Sequence, residues 1–233
     1  MNTRLRTLGF VLAIIGLAFF IAGGVAYGKT SAGYRSLQAF SSAQNVELTY
    51  NEAGELTDRG EPAGAQQIMS LLVDDWKYPI VQGDFDAADP MVNTASEYMF
   101  QMATISFHTL NGTQTVTLEE DAEYNGETFK AGTYEDVPVD GRYWTAFDRE
   151  HPIDGLVREQ AWSGTAHGLI GELGVGTVTH SALQMALGLA ALLGGLGGVF
   201  VLTGLGLAWA ASAKRDEITL APVIIREKDP VTV

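Results

Sequence analysis

The chain has 233 residues, no cysteine, and 28 acidic against 14 basic side chains, a net charge of −14. The missing thiols exclude cysteine catalysis, iron–sulfur clusters, thiolate metal sites and disulfide staples. The negative balance excludes nucleic acid as a partner, because a phosphate backbone is held by cations.

That charge is unevenly placed. Residues 30–180 hold 24 acids and 7 bases, a net of −17, while the remaining positions carry +3. An acidic central segment of about 150 residues is long enough to bury one hydrophobic core without disulfides.

Residues 1–7 carry Arg4 and Arg6 and precede an apolar run over 8–28. A charged start, an apolar centre and Gly24-Val25-Ala26 also fit a secretory signal peptide. The run is nevertheless longer than the ~7–15 apolar residues usual there, so an uncleaved first span is expected.

Tyr34, Leu37 and Phe40 continue at helical spacing, which predicts a stalk helix. Val46, Leu48 and Tyr50 alternate with polar residues, and Asn51 to Gly54 forms a turn before Leu56; this predicts a hairpin. Residues 60–64 read as loop and 65–75 as a short helix.

Asp89 and Pro90 suit a helix start, so the next helix is expected to begin there. Met91, Ala95, Tyr98, Met99, Met102 and Ile105 make its apolar stripe; Asn93, Glu97, Gln101 and His108 lie opposite. Asn111-Gly112 ends it. A meander follows, with Asn125-Gly126 as a hairpin turn. Residues 152–173 are expected as one helix, broken by Gly174-Val175-Gly176.

The second apolar run, 181–213, exceeds the ~20 residues that span a bilayer. A lone span in lipid must be helical, because its backbone has no other hydrogen-bond partners. Lys214 and Arg215 open the tail 214–233. Positive charges flank both spans on one side, so both termini are expected in the cytoplasm and residues 29–180 outside it. The fold class is therefore an α+β membrane protein of the plasma membrane: two transmembrane helices flank one extracytoplasmic α+β domain.

Chemistry is sparse in the sequence. His108, His151, His167 and His180 form no metal-binding helix pair; His151, His167 and His180 with Glu172, or the acids Asp74, Asp75, Asp84, Asp86 and Asp89, could assemble a site only through the fold. Gly171 to Thr177 lacks the lysine and spacing of a phosphate loop. No catalytic, cofactor-binding or metal-binding residue is therefore singled out, and no cofactor is expected.

The spans carry a stronger signal. Ala186, Ala190, Gly194 and Gly198 recur every four residues, and Ala18, Ala22 and Ala26 do so in the first span. Such small-residue faces let helix backbones approach closely in lipid. They are expected to serve helix packing, between the two spans or against a larger partner.

The stretch from Gly141 to Pro152, Gly-Arg-Tyr-Trp-Thr-Ala-Phe-Asp-Arg-Glu-His-Pro, runs through Ala161 and Thr165 into the second span. It resembles a group of actinobacterial two-span membrane proteins of unassigned function, often mislabelled as aromatic ring-opening dioxygenases. The resemblance covers about 70 residues and the two-span plan. It implies an actinobacterial envelope protein and transfers no functional residues; the dioxygenase ligand set is missing.

Two functions follow as expectations. One is a non-catalytic accessory or structural subunit, packed against other membrane subunits or copies of itself within the bilayer. The alternative is an extracytoplasmic sensor, or a ligand- or cation-binding module, anchored by two spans.

Overall fold

A computed structural model of the chain describes residues 2–212. Ala213, the predicted tail 214–233 and its Lys214 and Arg215 lie outside the described residues. The architecture is α+β. Two helices, α1 (Asn2–Gln44) and α5 (Gly164–Ser212), are long and apolar enough to cross a membrane, and a small β region lies between them. Neither helix contains proline, so nothing in either run removes a backbone donor.

The chain divides into two compact units. The first pairs α1 up to Val25 with α5 from Ala190 onward. The buried residues of this pair are Gly9, Gly16 and Gly23 on α1, and Ala190, Gly197, Gly204 and Ala208 on α5. Its large apolar side chains are exposed instead: Ile14 is 68% accessible, Leu202 74% and Trp209 77%.

The second unit covers 26–189 and is built around two clusters of buried side chains. β1 (Thr49–Tyr50) and β2 (Leu56–Thr57) form the expected hairpin, with Thr49 opposite Thr57. Its turn is held by the Asn51 carboxamide oxygen, which accepts from the backbone N–H of Ala53 and Glu55.

α2 (Pro62–Ser70) starts with proline in its first turn, three residues before the expected start. It runs into a wider π-type turn over Leu71–Asp75. Ile68 and Leu72 from this stretch are fully buried beside Phe100 and Ala103 of α3 (Ala95–Leu110).

The start of α3 corrects the sequence expectation. Asp89 and Pro90 do not begin it; the Pro90 carbonyl accepts from Leu48 N–H, and Val92 N–H donates to Val46 carbonyl. The helix starts after Thr94, whose hydroxyl accepts from Glu97 N–H while the Glu97 carboxylate reaches back to Thr94 N–H. A reciprocal box satisfies two orphan donors where a lone aspartate satisfies one, which favours the later start. Glu97 also proves to be buried. The buried stripe runs through Ala95, Tyr98, Phe100, Ala103, Ser106 and Leu110, and Met99, Met102 and Ile105 are half-buried.

The expected meander is instead a pair of nested hairpins. β3 (Thr113–Leu118) pairs antiparallel with β6 (Gly132–Pro138), enclosing the hairpin of β4 (Ala122–Tyr124) and β5 (Glu127–Phe129). Among the described residues, the consecutive strands β3 and β4, and β5 and β6, are not paired. Asn125 and Gly126 both have positive φ, +50° and +83°, as a tight two-residue hairpin turn requires.

The expected single helix over 152–173 is two. α4 (Pro152–Ala161) stops at Trp162, and α5 begins at Gly164. Trp162 is buried, donates its indole N–H to Arg142 carbonyl and stacks on Tyr143, which fixes the break between the two helices. Ser163 then accepts from Ala166 N–H as the cap of α5. Gly174-Val175-Gly176, the expected break, lies inside continuous helix. The packing explains why: a Cβ on Gly176 would stand 2.7 Å from the Tyr98 ring, so the glycine is there for close approach and not to end the helix.

Candidate functional site

Two places in the molecule combine unusual geometry with residues able to do something. One is the helix pair of the first unit. A Cβ placed on Gly9 would lie 2.6 Å from Gly204 carbonyl oxygen. On Gly16 it would lie 2.6 Å from Val201 N and 2.7 Å from Gly197 O, and on Gly23 2.7 Å from Gly194 N. Real Cβ atoms do not come so close, so the backbones touch.

These contacts recur every seven residues on both helices: Gly9, Gly16, Gly23 against Gly204, Gly197, Ala190. Seven residues are about two turns, so a heptad spacing keeps one face toward an antiparallel partner. Phe19 and Phe200 flank the seam, ring centroids 6.1 Å apart and edge to face.

Only part of the predicted packing set lies in that seam. Ala190 is buried in it, and Gly194 contributes its backbone. A Cβ at Gly194 or Gly198 would meet nothing within 4 Å, so their open faces point away from α1. Ala18 and Ala22 are exposed; Ala26 and Ala186 are half-buried and belong to the second unit. The expected row on α1 thus does not face α5. The contact is carried by glycines at positions 9, 16 and 23, whose heptad spacing is itself a signal in the sequence.

The other place is a cavity of about 200 Å³ in the second unit. Phe40, Val46, Val92, Ile105, Leu169 and Leu173 supply most of its wall. Ser41 and Tyr98 also line it, but their polar atoms are committed: the Ser41 hydroxyl donates to Leu37 carbonyl at 3.0 Å and accepts from the Tyr98 hydroxyl at 2.6 Å. Gln44, Gln101 and Glu172 complete the lining.

The side chains weighed for chemistry are engaged separately. His151 Nδ1 caps α4 by accepting from Ile153 and Asp154 N–H. His167 packs on Trp144 and Trp162, and His180 accepts from Ala95 N–H while facing the Tyr34 ring. His108 Nε2 meets Asp58 Oδ1 at 2.9 Å. Asp74 accepts from Ser70, and Asp86 holds its own turn through Ala88 N–H. Among the described residues no three His, Asp or Glu side chains converge as a metal ion would need. Arg158 is buried against Trp144, its guanidinium carbon 3.0 Å from the ring centre and its Nε donating to Trp144 carbonyl.

Glu97 is a buried carboxylate with a perturbed acidity. Burial pushes its carboxyl pKa up, against the pull of three hydrogen bonds from Asn93 N–H, Thr94 N–H and the Thr94 hydroxyl. It is a structural cap and lies outside the cavity wall.

Comparison of the chain with protein-family models, with curated proteins and with solved structures found no match.

Proposed function

We propose that the chain is a two-span integral protein of the plasma membrane, non-catalytic, acting as an accessory or structural subunit beside a larger envelope complex. One observation carries the membrane reading. In the helix pair the glycines are inside and Ile14, Leu202 and Trp209 are outside, the inverse of a core folded against water. In lipid, large apolar side chains gain nothing by facing inward, and close backbone packing decides instead. The flanking Arg4 and Arg6 support cytoplasmic termini and an outer acidic domain.

The subunit role draws on what the seam leaves over. Ala18 and Ala22 remain free of α5, and the outer sides of Gly194 and Gly198 remain free of α1; both offer small-residue faces to another helix. An actinobacterial origin and kinship with the two-span group remain part of this proposal, resting on the segment from Gly141 to Pro152.

Because the chain has no cysteine, single introduced thiols test the topology cleanly. Thr128→Cys should react with an impermeant maleimide on intact cells, and Thr3→Cys only after lysis; the reverse pattern overturns the orientation. For the complex, Ala22→Leu and Gly198→Leu should lower recovery of native-size assemblies in mild detergent by about tenfold, since single helix contacts in membranes are worth ~1–2 kcal/mol. Assemblies of unchanged size and amount in both variants would sink the subunit role.

The cavity favours a second reading, a ligand-binding module held at the membrane.

A further inference from the structure

The cavity wall is mainly apolar. A buried water needs roughly 2–4 polar partners, and an apolar cavity of ~150 Å³ stays dry and takes an apolar guest such as benzene. This one is about 200 Å³, and the two hydroxyls in its wall already bond to each other and to Leu37 carbonyl. Gln44, Gln101 and Glu172 also line it, so the mainly apolar wall suits a hydrocarbon guest whose polar end lies beside them.

A second groove, of about 580 Å³, adjoins it along α1 and α5 and shares Phe40 and Glu172 with the cavity wall. The groove extends past Val175 and Gly176 to Gly33 and Leu183. Leu183 belongs to the apolar run that begins at Ser181, so the groove descends from the cavity into the part of α5 that lipid would surround. Leu183 packs closely on Gly33 there: a Cβ on Gly33 would be 2.5 Å from Leu183 Cδ2.

We propose that the cavity holds the hydrocarbon chain of a bilayer lipid, which reaches it laterally from the membrane along this groove. The occupant is a lipid chain because the path is continuous with the apolar run. The polar groups near it, Gln44, Gln101 and Glu172, leave an anionic head no cation to bind among the lining residues. This rests on the membrane-spanning reading proposed above.

The test reconstitutes the full chain in phosphatidylcholine vesicles doped with a phosphatidylcholine whose acyl chain ends in a photoreactive diazirine. After illumination, labelled peptides are mapped by mass spectrometry. Label is expected on 98–105 and 169–173, besides the flanks of 190–212. Ile105→Trp fills the cavity and should cut the first set by about tenfold, equivalent to ~1.4 kcal/mol, while leaving 190–212 unchanged. Leu169→Trp, at an exposed position of the wall, gives the same readout should Ile105→Trp fail to fold.

Label confined to 190–212, or cavity label indifferent to both variants, overturns the proposal. Equal cavity labelling by a water-soluble short-chain diazirine acid overturns the bilayer route. Absence of label on 190–212 would instead refute the membrane reading itself, so the two failures are distinguishable.

Discussion

The helix pair and the acidic domain bury opposite kinds of residue. In the domain, Ile68, Leu72, Val139 and Val157 are fully buried and, Glu97 and Arg158 apart, the charged groups reach solvent, the arrangement water enforces. In the pair, Gly9, Gly16, Gly23, Gly197 and Gly204 are buried and isoleucines and leucines face outward. The contrast teaches that hydrophobicity alone cannot predict the inside of this chain. Side-chain volume decides in the pair; apolar area removed from water decides in the domain.

The strongest way to break that contrast is to give the pair a side chain to bury. Gly16→Leu places carbon where Val201 N and Gly197 O now stand within 2.7 Å of a Cβ, and no flexible side chain is there to yield. The helices must separate, at a cost of about 3 kcal/mol or more, the upper range for overpacking. Phe19→Cys with Phe200→Cys should cross-link readily in the parent and poorly with Gly16→Leu added. Gly198→Leu, which meets nothing, should leave the cross-link intact. Equal cross-linking in all three proteins would show that the seam is not backbone against backbone.

Much of the fold was legible in the sequence. Both long helices, the hairpin around Asn51, the end of α3 at Asn111 and the Asn125-Gly126 turn follow from local chemistry. The seam follows the sevenfold glycines rather than the fourfold row for a geometric reason. Small residues every four positions advance about 40° around a helix per step, so three steps from Ala186 to Gly198 wrap about a third of a turn. The sevenfold set drifts only ~20° per repeat and stays on the contact.

Position 97 was misread because a capping glutamate and a solvated one have the same sequence. The helix break at Trp162 depends on Arg142, twenty residues away, and the continuity through Gly176 depends on Tyr98. The cavity draws on Phe40, Val46, Val92, Tyr98 and Leu169, positions no periodicity connects.

Within the domain, Glu97 tests how far its interior resembles a water-excluded core. Glu97→Ala strands two backbone donors and a hydroxyl, and should cost about 3 kcal/mol. Its carboxyl pKa is raised by burial, so the folded state binds a proton more tightly than the unfolded chain. The sign follows: that contribution is full below the ordinary glutamate range and is lost as pH rises through the elevated folded value. Denaturant midpoints measured across that window should fall with pH in the parent and lose this component in Glu97→Gln. An identical pH profile in the two proteins would mean Glu97 is solvated. Thr94→Ala, removing the other half of the box, should cost about 1 kcal/mol.

The smallest expected effect sharpens the comparison most, because it asks whether the domain interior tolerates an idle polar group. The Tyr50 hydroxyl is buried with no hydrogen-bond partner among the described residues. Burial, with Glu97, Asp86 and Asp89 near enough to add to it, raises its pKa, so it stays a neutral phenol. A buried hydroxyl without a partner carries a desolvation cost of ~1–3 kcal/mol, and part of that returns when the oxygen is removed. Tyr50→Phe keeps the ring against the cluster of Leu48 and Phe100 and deletes only the oxygen. It should therefore raise the chemical denaturation midpoint slightly, by about 1 kcal/mol, with an unchanged slope. The seam offers no equivalent: its buried atoms are backbone already satisfied within each helix, so no deletion there can stabilise. A midpoint lowered by Tyr50→Phe would show that the hydroxyl is bonded, and the domain interior would then be as fully satisfied as the seam.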